Sequence, residues 1–111
     1  MKIPNKIRIN GIDYAIESPK HLDNGKWLLA GQVSYHESKI RIKATHEHQY
    51  RCVSLWHEIL HAIVFSTGLE LGKNEEKIIE TFAYGINQVI QDNKDNLFGT
   101  KDNKQTIKEE K

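Results

Sequence analysis

Residues 57 to 61 read His-Glu-Ile-Leu-His, inside the run "SLWHEILHAIVF", which is otherwise built of core-forming residues. On an α-helix, positions four apart lie on one face a turn apart, so the imidazoles of His57 and His61 can converge on one ion. Glu58 is rotated by about 100° from His57, beside the histidine pair rather than over it. That position suits a base acting on water better than it suits a ligand. The pattern is HExxH, and the chemistry it serves is hydrolysis assisted by Zn2+: the metal lowers the pKa of water towards about 7, and the carboxylate takes the proton and passes it to a leaving amine. HExxH fixes only three positions and arises in unrelated helices. Its setting gives it weight here, because a carboxylate among Leu, Ile and Val is costly without a water, cation or hydrogen-bond partner.

A catalytic zinc usually has three protein ligands and one open position. The third is expected from the stretch "EEKIIETFAYG". Glu80 is preferred, since it lies within the apolar pattern beside Ile79 and Ala83, where a carboxylate facing the first helix would need a partner. Glu76 is the alternate. It falls in the first helical turn, where solvated Glu is common and favourable to the dipole. Glu75 is a more remote choice, and Tyr84 shares a helical face with Glu80, either as a transition-state donor or as core packing.

Two kinds of element must position these groups, and the hydrophobic period changes once between them, near residue 45. Before it, apolar residues alternate: Ile7 and Ile9, then Ile12, Tyr14 and Ile16, joined by Asn10-Gly11, a two-residue hairpin signal. Val33 and Tyr35, then Ile40 and Ile42, alternate again around the polar "HESK". This predicts a small, mainly antiparallel sheet of about four strands over residues 5–44. From Thr45, a plausible N-cap, the period is helical. The HExxH helix is expected over 46–67, apolar on nearly every side and closed by Gly68. A second helix, 75–92, carries the apolar stripe Ile79, Phe82, Ala83, Ile86, Val89 and Ile90. The fold class is α+β, one domain over residues 1–92, with 93–111 a polar, flexible tail. Trp27 and Trp56 are expected in or at the edge of the core. The strand leading into the HExxH helix, Ile40 to Lys43, is expected to offer an exposed edge for a peptide.

Composition narrows the partners. The 111 residues suffice for one modest core. Lys and Arg number 16 against 15 Asp and Glu, a net charge of +1, which argues against nucleic acid. The one cysteine, Cys52, excludes an internal disulfide framework and reads as a buried thiol. No stretch has the length and apolarity of a secretory signal core or a membrane span, so no membrane partner is expected and the location is expected to be cytoplasmic.

The combination of "HEILH" with "EEKIIETFAYGINQVIQDN" resembles the small zincin-type, metallopeptidase-like proteins of phages and prophages. These are distantly similar to the ImmA/IrrE class and, more broadly, to the gluzincins. The matching positions are His57, Glu58 and His61, then Glu80 with Ala83 and Gly85, and finally Asp92-Asn93; the resemblance spans about residues 6 to 93. It implies zinc held by His57, His61 and Glu80, with Glu58 as base, a peptide or protein substrate, and the cytoplasm of a bacterial host. The expected function is that of a zinc-dependent metallopeptidase. The alternative is a non-catalytic zinc-binding phage accessory or interaction module, because the chain has no room for the second lobe that builds the cleft of larger gluzincins.

Overall fold

Asn10 and Gly11 both take left-handed backbone, with φ of 48° and 87°, as a two-residue hairpin turn requires. They join β1 (Lys6–Ile9) to β2 (Ile12–Glu17), antiparallel, with Ile7 opposite Tyr14 and Ile9 opposite Ile12. The computed structural model describes residues 1–99. Beyond the hairpin come β3 (Gly31–Ser34), β4 (Lys39–Ile42), α1 (His48–Thr67), a single 3-10 turn at Gly72–Asn74, α2 (Glu75–Asp92) and a short α3 (Lys94–Phe98). The architecture is α+β.

The sheet is mixed, which corrects the antiparallel expectation. Its order is β1-β2-β4-β3, with β4 parallel to β2 and antiparallel to β3. The cause lies in residues 18–30, too long for a hairpin, which carry the chain past one strand position. β3 then takes the edge, and the turn at Ser38 (φ 55°) sends β4 back between β3 and β2. The strand Ile40 to Lys43 is therefore central, and the edge beside the helices belongs to β3.

Central placement makes β4 the core strand. Ile40 and Ile42 are completely buried, packed with Ile9, Tyr14 and Ile16 against Leu55, Ile59 and Ala62 of α1. Helix α1 begins later than expected. Its N-cap is Glu47, not Thr45, and the Glu47 carboxylate accepts a hydrogen bond from the Tyr50 N–H at 3.2 Å. The first turn contains no acidic residue of its own, so Glu47 supplies the negative group that the helix start favours. Gly68 closes the helix at φ 71°, as expected.

Helix α2 packs on α1 with Ile79, Ala83, Asn87 and Ile90 buried. Phe82 and Val89 of the expected stripe are more than half exposed. With one helix to pack against, only a narrow stripe finds cover. Trp27 is likewise exposed, at 63%. It sits in a surface turn whose Asn24 Oδ1 accepts from the N–H groups of Lys26 and Trp27, so the turn chemistry decides its position. Cys52 is buried as expected, and Trp56 packs at the core edge. Residues 94–98 of the expected tail form α3; residues 100–111 lie outside the described part. Among the described residues no helix is long and apolar enough to cross a membrane.

Candidate metal centre

The four-residue spacing on α1 does what the helix geometry requires. The rings of His57 and His61 lie with centroids 4.9 Å apart, and their Nε2 atoms approach to 3.2 Å. A carboxylate completes the group: Glu76 places Oε1 3.0 Å from His57 Nε2 and Oε2 2.6 Å from His61 Nε2. One ligand atom from each of the three residues falls within a 4.8 Å span, a grouping that could hold a metal ion. Both imidazoles are largely buried, and the Glu76 side chain, 70% exposed, caps them from the solvent side.

Glu80, the preferred third ligand in the sequence reading, lines the same cavity but stands outside this cluster among the described residues, and it is exposed. The preference assumed a buried carboxylate in need of a partner; both Glu80 and Glu76 are exposed, and what separates them is that only the Glu76 oxygens reach the two imidazoles. The connection over residues 68–74, ending in the 3-10 turn, carries the chain back along α1 before α2 starts. The first turn of α2 is therefore the one level with His61. Carboxylates suit that turn, since they face the positive end of the helix dipole.

Glu75 is drawn in as well. Its Oε2 lies 3.2 Å from His61 Nδ1. Two consecutive glutamates thus address the two nitrogens of one ring, Glu76 on the converging side and Glu75 behind. A carboxylate behind a ligand imidazole fixes its tautomer and raises its basicity. Glu75→Gln is expected to weaken zinc binding by about 10–100-fold, which competition with a chromophoric chelator would measure; unchanged affinity would remove this role.

Glu58 lies on the floor of the cavity, 8% exposed. Burial, and secondarily the nearby Glu76 charge, push its carboxyl up to about 7. The backbone of β3 closes over it. A Cβ added at Gly31 would stand 3.1 Å from Glu58 Oε2, 3.2 Å from its Cγ and 3.3 Å from Ile42 Cδ1. Glycine is what allows strand and carboxylate to approach so closely. Gly31→Ala is expected to displace Glu58, because Ile42 is wholly buried and has nowhere to go; the overpacking cost is about 1–3 kcal/mol, read from urea unfolding at constant zinc content.

Tyr35 was not singled out by sequence. Following β3, it lines the cavity, stacks on Phe65 with centroids 3.9 Å apart, and donates its hydroxyl to the His61 carbonyl at 3.3 Å. Burial first, then the charges led by Glu58, push its phenol up to about 12, so it stands as a neutral O–H donor at the site. The signal available was an aromatic one residue past the strand that turned out to be the edge. Tyr84, the donor considered earlier, is half exposed and does not line this cavity.

The cavity, of about 420 Å³, is walled by β3 on one side and by α1 and α2 on the other. Two imidazoles and a carboxylate converge at its mouth, with a raised-pKa carboxyl beneath. Comparison of the chain with known protein families, characterised proteins and solved structures finds no match.

Proposed function

We propose that this chain is a zinc-dependent peptide hydrolase in which His57, His61 and Glu76 hold the ion and Glu58 is the general base. The observation that carries the reading is a buried carboxyl pushed to about 7, lining one cavity with a His57–His61–Glu76 group whose ligand atoms already converge. Two imidazoles and one carboxylate are a catalytic donor set for zinc, with a position left for substrate or water. When bound, the ion supplies a Lewis acid that polarises a carbonyl and makes water a nucleophile near neutral pH.

The chain's own residues supply the rest. Glu58, a buried carboxylate one residue from His57 in the same cavity, takes a proton from water and returns it to the departing amine. Tyr35, whose one hydroxyl proton goes to the His61 carbonyl at 3.3 Å, would turn from that bond to serve the oxygen on which charge develops. β3 is an edge strand, and its unpaired backbone groups beside the cavity suit an extended peptide added as a further strand.

The test is incubation of the zinc-loaded chain with a peptide library, with products identified by mass spectrometry. Cleavage that stops on chelation and returns with added zinc is the expected result. Stoichiometric zinc binding with no cleavage of any peptide would overturn the hydrolase reading, leaving the zinc-bound interaction module as the function.

A further inference from the structure

Helix α2 carries two packing faces, one residue apart in register. Ile79, Ala83, Asn87 and Ile90 are buried against α1. Ile78, Phe82, Gly85 and Val89 follow at spacings of four, three and four, the seam pattern of a helix that lies along one further helix. This second face is largely uncovered among the described residues: Phe82 is 60% and Val89 55% exposed. No charged residue falls on the seam itself.

Two features set the seam apart from an ordinary surface. Gly85 stands in mid-helix, where glycine is unfavourable relative to alanine, and a Cβ added there would meet nothing within 4 Å. No contact inside the chain requires this glycine; what it permits is the close approach of another backbone from outside. The second feature is shape. Thr81, Asn74, Lys77, Ile78 and Phe82 line an open groove of about 310 Å³ on the N-terminal half of the helix. Thr81 donates its hydroxyl to the Lys77 carbonyl at 2.8 Å, which removes its need for water there. The C-terminal half of the same face presents Val89 as a projecting side chain.

Groove and projection complement each other under a two-fold axis through Gly85. Antiparallel pairing of two α2 helices sets each residue before Gly85 against the one equally far after it in the other copy. Val89 then enters the groove at Thr81 and Phe82. Asp92 comes level with Ile78 and within reach of Lys77, twice by symmetry. Among the described residues Lys77 has no ion-pair partner, and Asp92 accepts from Gln88 Nε2 with acceptor capacity left over. Parallel pairing would set lysine on lysine and aspartate on aspartate, so charge selects the antiparallel form. We infer that two copies of this chain associate through this face of α2 as a two-fold dimer. Glu76 lies about 180° around the helix from Gly85, so the metal cavity stays open, and the inference does not depend on the hydrolase reading. The 18 residues of α2 span about 27 Å. One such face per copy is at the small end of specific interfaces, and the dimer dissociates in the micromolar range.

The experiment is sedimentation velocity on the full chain from about 1 μM to about 1 mM, with chelator present so that no ion bridges two copies. A concentration-dependent passage from monomer to dimer is expected. Val89→Glu, at a position more than half exposed in the single chain, should leave the circular dichroism unchanged and weaken the dimer at least about 100-fold. Lys77→Glu and Asp92→Lys should each weaken it about tenfold, and the double variant, with the charges exchanged, should recover to within about threefold of wild type. Both single changes suit the helix dipole, so neither loss can come from a weakened helix. Gly85→Ala should raise resistance to urea and weaken the dimer, two effects of opposite sign. A monomer at every concentration, a dimer indifferent to Val89→Glu, or a double variant no better than the single ones would overturn the inference.

Discussion

Glu58→Gln is expected to slow peptide hydrolysis by about 10²–10⁴-fold, the usual contribution of a positioned general base, with zinc still bound in full stoichiometry. Gln keeps the shape of the side chain and cannot take a proton. The same substitution should act on stability in the opposite direction. Glu58 titrates near 7 in the folded chain because burial disfavours its charge, whereas an unfolded Glu titrates near its ordinary 4.5. The folded state therefore holds the proton more tightly. Glu58 contributes its full stability below about pH 4.5 and loses it as the pH rises towards about 7. The difference, converted from the shift, is about 3 kcal/mol. Metal-free Glu58→Gln, which mimics the protonated form at every pH, should thus be more stable than wild type at pH 8 by up to this amount and equal to it near pH 4. Urea unfolding at the two pH values decides: parallel curves for the two proteins would show that Glu58 is not strained by its burial. Equal hydrolysis rates would remove it as the base.

The second large effect concerns the third ligand. Glu76→Gln is expected to weaken zinc binding by more than about 100-fold, beyond what losing an outer hydrogen-bond partner costs. Glu80→Gln should leave it within about threefold, because Glu80 stands outside the group of side chains that could hold the ion. The pair of substitutions is balanced: both remove one negative charge from α2, so a general electrostatic effect would move both alike. The opposite ranking would restore Glu80 as the ligand.

Why Glu80 was favoured over Glu76 shows what a sequence encodes locally and what it leaves to packing. His57, Glu58 and His61 lie within one helical turn or so, and their relative geometry follows from the helix alone. The hairpin at Asn10-Gly11 and the cap at Gly68 are equally local, and both stand where the sequence places them. The third carboxylate depends on how far the 68–74 connection returns along α1 before α2 begins, and no periodicity records that distance. The strand order is of the same kind. β3 and β4 form a legible hairpin, but which of them docks against β2 is decided by the path of residues 18–30. That choice moved the exposed edge to β3 and brought Gly31 against Glu58 and Tyr35 into the same cavity, two residues without a chemical signature in sequence. The exposed faces of Phe82 and Val89 and of Trp27 show the same limit in burial: apolar residues at helical or loop positions need a partner surface, and a chain of this size has few to offer.

The start of α2 has one property that joins the site to the folding of the chain. Asn74 makes no side-chain capping bond there, and the turn before it passes through Gly72 at φ 77°. The helix thus begins without a side-chain cap, its Glu75 N–H held by the Gly72 carbonyl of the 3-10 turn. Glu75 and Glu76, reaching across to His61, tie this end to α1. An ion shared by Glu76 and the two histidines would replace the missing cap with a crosslink between helices, and at a free concentration 100 times its dissociation constant it would stabilise the fold by about 2.7 kcal/mol. Ligand set and helix start are then one structural unit: an ion held there would add to the seating of α2 on α1 that the buried Ile79, Ala83, Asn87 and Ile90 already provide.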